Sequence, residues 1–172
     1  MFSDISNVQN VDNYLPILNG CINAELTIVF LCVYEFFVSL KLRKWYKTFQ
    51  LTALAFDISA MLLILILTRY IYKYIFSKFH ILYFIGIAIL LQILYSCFFS
   101  FLVNHYWLKN DIFSFQQKYI TEIGFPAFLF YSVFVMTLAC LMSSYYSTTS
   151  TNSNIINLIL SIYFYSFMIN EI

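Results

Sequence analysis

The chain has 172 residues, 62% of them hydrophobic and 10% charged, with a net charge of +1 and a mean hydropathy of +0.82. Soluble domains carry roughly 45–50% apolar and about 25% charged residues, so a water-soluble fold of this length would expose more apolar surface than water tolerates. The composition excludes an ordinary soluble domain and points to lipid as the surrounding solvent.

At ~20 residues per spanning helix, the chain has room for four or five spans and short loops. Residues 1–20 read as a polar tail; it holds Asp4 and Asp12 and no Lys or Arg, unlike the basic start of a secretory signal. Residues 21–172 read as an all-α integral membrane helical bundle of four to five spans, at about 24–40, 49–68, 81–103 and 125–142. The last apolar segment, 155–169, is short; it is read as a fifth span in preference to a helix packed part-way into the bundle.

The first two spans are joined by a basic, aromatic link holding Lys41, Arg43, Lys44, Trp45, Tyr46 and Lys47. Residues 110–123 are too polar to span. There Ile112, Phe115, Tyr119 and Ile123 fall on one helical face, with Gln116, Gln117 and Lys118 elsewhere, the pattern of one interfacial helix lying in the membrane plane. Residues 143–154 are rich in Ser, Thr and Asn and read as a loop in their later part. The strand alternation that a barrel requires is absent.

Short basic loops stay on the cytoplasmic side. Lys41, Arg43, Lys44 and Lys47, with Lys109 and Lys118, fall on one side of any alternating topology, against Arg69, Lys73 and Lys78 on the other. The N-terminus is therefore expected on the non-cytoplasmic side. Trp45 and Trp107 then sit at the cytoplasmic interface, where belt aromatics belong.

Ionisable groups within spans are costly and are functional candidates by default. Asp57 and Gln92 lie near the centres of the second and third spans, each on the order of 16 Å from the outer end of its helix. With Glu35, somewhat shallower in the first span, they form a candidate intramembrane polar cluster. Its functional reading is a proton or cation relay; its structural reading is a neutral carboxyl hydrogen-bonded between helices. Glu25 and Arg69 form a candidate packing ion pair across the first hairpin.

The sequence carries no nucleophile–base pair, hydrolase signature or phosphate loop, so the reading leans away from an enzyme. No catalytic, metal or cofactor residue is assigned, and no cofactor is expected. Cys21, Cys32, Cys97 and Cys140 are too far apart for a C-x-x-C site and read as small apolar helix residues. His80 and His105 stand at opposite ends of the third span. Ala139 and Ser143 offer one small-xxx-small site for helix packing. Expected partners are membrane lipid, other membrane subunits or a second copy; no basic surface suits nucleic acid.

Asp57, the run Thr68-Arg69-Tyr70-Ile71-Tyr72, Gln92 ahead of Phe98-Phe99, Lys118-Tyr119 with Glu122 and Gly124, and a late Asn-rich loop leading into a Tyr-containing end resemble a group of multi-span membrane proteins of giant (nucleocytoplasmic large DNA) viruses. The likeness covers about residues 50–168. It implies a viral or host-membrane location and supplies no activity; the function is read as structural or assembly. The alternative is a proton- or ion-handling subunit, such as an organelle-encoded respiratory-chain component of the mitochondrial inner membrane, which a similarly Phe/Tyr-rich composition also fits.

Overall fold

The computed structural model describes residues 3–34, 36, 40–105 and 111–171. A 3-10 turn at Val11–Asn13, capped by the Asn10 side chain accepting from the Asp12 amide, leads into α1 (Tyr14–Val33). Then follow α2 (Leu40–Phe49), α3 (Leu51–Ile75), α4 (Ile81–His105), α5 (Asp111–Ile123), α6 (Phe125–Tyr146) and α7 (Thr151–Glu171). Among the described residues there is no strand, and five helices, α1, α3, α4, α6 and α7, are long and apolar enough to cross a membrane. The chain is an all-α, multi-pass bundle.

The start of α1 is the main departure from the sequence pattern, which placed the first span at about 24–40 and a polar tail before it. The helix begins at Tyr14 and runs through the bundle interior, in contact with α3, α6 and α7. Of its most apolar stretch 61% is buried, against 17–39% for the other four long helices. An interior helix has protein rather than lipid around it, so its polar residues find partners. The Asn19 amide donates to the backbone carbonyl of Asn154 at 2.9 Å and to its side-chain oxygen at 3.1 Å. Ser161 donates to the Asn23 side chain at 3.3 Å. What lowers the hydropathy of residues 13–25 is helix-to-helix hydrogen bonding inside the bundle.

The closest approach is between α1 and α6. A Cβ added at Gly20 would lie 2.1 Å from Ser143 Oγ and 2.8 Å from the Ala139 carbonyl. Glycine is needed there so that the backbones can meet, and the small-xxx-small site at Ala139 and Ser143 is the surface it meets. Facing away from the core, α7 presents Ile156, Ile159, Tyr163 and Phe167 outward, the apolar exterior that hydrocarbon solvates.

The chain runs up and down, which puts the connections at two ends. At one end Ser144, in the last turn of α6, and Ser147, which caps it, hold the N-terminal segment: Ser144 Oγ donates to the Ser3 carbonyl at 2.7 Å and Ser147 Oγ to Asn13 Oδ1 at 2.8 Å. At the other end lie α2 and α5, tied by the Lys41–Glu122 ion pair at 3.2 Å, and Tyr165 of α7, whose hydroxyl donates to the Gln50 carbonyl at 2.8 Å. Both of these short helices turn into their long neighbours through a single positive-φ residue, Gln50 (φ 46°) and Gly124 (φ 80°).

The basic link at 41–47 is thus a helix rather than a loop. Leu42, Trp45 and Tyr46, at spacings of three and one, are buried, while Lys44 and Lys47 are exposed. That makes α2 an amphipathic helix against the bundle end. The polar segment expected to be helical over 110–123 is a helix, α5, but its buried residues are Gln116, Tyr119 and Ile120, so Gln116 is on the inner face and not elsewhere. The last segment, short by its apolar run, is a helix of 21 residues, α7, because the Ser/Thr/Asn stretch from Thr151 onward is helical.

Candidate functional site

Where α2 and α5 close the end of the bundle, a cavity of about 130 Å³ opens between them and α1, α3, α4 and α6. Two carboxyls line it, Glu25 from α1 and Asp57 from α3. They lie within hydrogen-bonding reach of each other. A hydrogen bond between two carboxyl groups needs a proton between them.

Neighbouring residues of α2 serve both acids. Tyr46 Oη donates to Glu25 Oε1 at 2.5 Å, and Trp45 Nε1 donates to Asp57 Oδ2 at 3.0 Å. The Trp45 ring is fixed by Phe49 at 4.8 Å, Phe115 at 5.7 Å and Phe56 at 6.0 Å between centroids, so the indole N–H is aimed by packing before any bond forms. Burial, with Glu25 alongside, holds the Tyr46 phenol well above its ordinary pKa. Tyr46 therefore stays a donor over the whole range in which proteins fold.

Gln92 and Ser96 of α4 reach the same cavity, Gln92 Nε2 donating to Ser96 Oγ at 3.2 Å. From α5 come Gln116 and Tyr119, each only 6% exposed. Burial, with Tyr131 next, raises the Tyr119 phenol as well. No three of the described His, Cys, Asp and Glu side chains come close enough together to hold a metal ion.

Asp57 and Gln92, expected in one cluster, do line one cavity. Glu35, the third member of that expectation, lies outside the described residues. The second carboxyl is Glu25, which the sequence pattern had paired with Arg69. That pair is corrected by the structure: Glu25 sits deep in α1 against Tyr46 and Asp57, because the helix starts at Tyr14 rather than near residue 24. Arg69 is buried toward the opposite end of the bundle. Its guanidinium donates to the Asn7 carbonyl and, at 3.0 Å, to the Asn10 carbonyl, with the Tyr14 ring 4.5 Å away. It ties the N-terminal segment to α3.

Trp45, Tyr46, Gln116 and Tyr119 were not assigned to the site from the sequence. The signal for the first two was the spacing of Leu42, Trp45 and Tyr46, which repeats on one helical face. For Gln116 there was none, since an amide beside Gln117 and Lys118 reads as solvated. Cys21, Cys32 and Cys140 are buried free thiols, and Cys97 is an exposed one.

Fold and site together define a multi-pass integral membrane protein with a carboxyl-lined cavity inside its helical bundle. Compared with known proteins, the chain matches no family model, no curated protein and no solved structure.

Proposed function

We propose that this protein binds and handles a proton or small cation within the bilayer, with the Glu25–Asp57 pair as its binding group. One observation carries the reading: two carboxyls from different helices share hydrogen-bonding reach at the edge of an open cavity. A carboxyl kept only for packing needs a donor and no space. These two have donors, from Tyr46 and Trp45, and an open cavity beside them. Ionisable groups inside a membrane bundle that face a cavity are the usual components of proton and ion paths.

The basic links at the α2/α5 end support a cytoplasmic position for that end and a non-cytoplasmic N-terminus. On the resemblance noted above, the membrane is a viral or virus-modified host membrane; the mitochondrial inner membrane is the alternative. A structural or assembly role is the second reading, favoured by one observation: Asn19, Asn23, Asn154 and Ser161 spend their polar groups on holding α1 to α7.

The test uses purified full-length protein in vesicles with an internal pH dye and an imposed potassium diffusion potential. Wild type is expected to move protons, and Asp57→Asn or Glu25→Gln to slow that movement at least about tenfold while helix content and elution volume stay unchanged. Infrared difference spectra should lose the pH-dependent carbonyl band of a protonated carboxyl in Asp57→Asn. A folded variant with unaltered proton movement and an unaltered band sinks the proton reading and leaves the structural one.

A further inference from the structure

The cavity contains more than a proton requires. Its wall is aromatic: Trp45, Phe56, Phe99 and Tyr95 form a chain of ring contacts with centroids 5.9–6.0 Å apart. Tyr119 and Phe128 add a second edge-to-face pair at 6.4 Å, and all six line the cavity. Aromatic faces attract cations that shed water easily and carry an apolar body, above all ammonium groups. Two carboxyls at the base supply the counter-charge. Gln116 and Tyr119, both buried, line the same space and bring an amide and a hydroxyl to it, polar groups that suit the N–H donors of such a ligand.

We propose that the cavity binds a small primary or secondary alkylammonium ion. Its N–H groups go to Glu25 and Asp57 and its alkyl part against the aromatic wall, with Gln116 and Tyr119 completing the polar contacts. This rests on the reading of the carboxyl pair as a cation-binding group and names the cation.

Size fixes the class further. A cavity of about 130 Å³ is close to the ~150 Å³ engineered cavity that accepts benzene, which suits an amine of about five or six heavy atoms. It is too small for a lipid headgroup with its phosphate, and the two carboxyls repel the phosphate charge, so the amine is a free one. A hard metal ion is a poor fit, because it takes six or more oxygen ligands whereas most of this wall is apolar.

The experiment is calorimetric titration of the full-length protein in detergent with n-butylammonium chloride. Sodium chloride controls for charge, and 1-pentanol for shape. Saturable binding of n-butylammonium at 1:1, with no heat from sodium or pentanol, is expected. Asp57→Asn should weaken it at least about tenfold, and Tyr119→Phe and Gln116→Leu each by about threefold to tenfold. Because Asp57→Asn can disturb folding, the two α5 variants, which keep both carboxyls, provide the second arm.

Absence of saturable binding to folded wild type overturns the inference. So does binding that pentanol reproduces, or that folded Asp57→Asn and both α5 variants leave unchanged. If butylammonium fails to bind while proton movement still depends on Asp57 in vesicles, only this inference falls. If neither depends on Asp57, the reading of the pair as a cation site falls with it.

Discussion

At the scale of single residues, the site depends on donors that cannot be lost to ionisation. Tyr46 is fully enclosed, and burial with the neighbouring Glu25 raises its phenol well above the ordinary value of ~10. The sign follows from linkage: a raised folded-state value gives stability that is fully present below the unfolded value and is lost as pH climbs toward and through the folded one. Stability in detergent should therefore be flat up to about pH 10 and fall above it. Absorbance titration should show Tyr46 and Tyr119 ionising only as the fold opens. Tyr46→Phe should cost about 1–3 kcal/mol, the penalty for leaving a buried carboxyl short of a donor, and should remove part of the alkaline loss. A variant as stable as wild type at neutral pH contradicts the role given to this bond.

Helix elements owe their positions to a few close contacts. The approach of α1 to α6 is set at Gly20, where Ser143 Oγ and the Ala139 carbonyl leave no room for a side chain. Gly20→Leu should destabilise the bundle by at least about 1–3 kcal/mol, the range for overpacking a close contact, read as a lower melting temperature in detergent. The same bulk at Gly86 of α4, where nothing lies within 4 Å, should change little. Equal effects at the two glycines would show that helix propensity rather than packing governs. Much of this scale was legible beforehand: α3, α4 and α6 are near where the apolar runs predicted them, and Ala139 and Ser143 read as a packing site. What was illegible is the start of α1, where Asn19 reads as polar tail and Glu25 as the outer end of a span until Asn154 and Tyr46 are beside them.

At the scale of the whole molecule, the up-and-down run of the five long helices places Val11 and Thr151 at one end of the bundle and Lys44 and Lys118 at the other. Single cysteines introduced at these exposed positions should react with an impermeant maleimide in two matched pairs, one pair from each side of sealed vesicles. Thr151→Cys labelling from the same side as Lys44→Cys would contradict the alternation. The same frame explains why the cavity sits at the α2/α5 end: the long helices leave a space there between their ends, and the two amphipathic helices close it with Trp45, Tyr46, Gln116 and Tyr119.

The amino-acid sequence alone determined that the chain lives in lipid and is helical, because run length and scarcity of charge are additive and need no knowledge of neighbours. It also singled out Asp57 and Gln92, since a polar group in a long apolar run is conspicuous. Only the tertiary structure decided that Glu25 is the partner of Asp57 and that α1 is the interior helix. Hydropathy measures how well a segment suits lipid, and a helix wrapped by other helices never has to, so its signal resembles that of a loop until its neighbours are known.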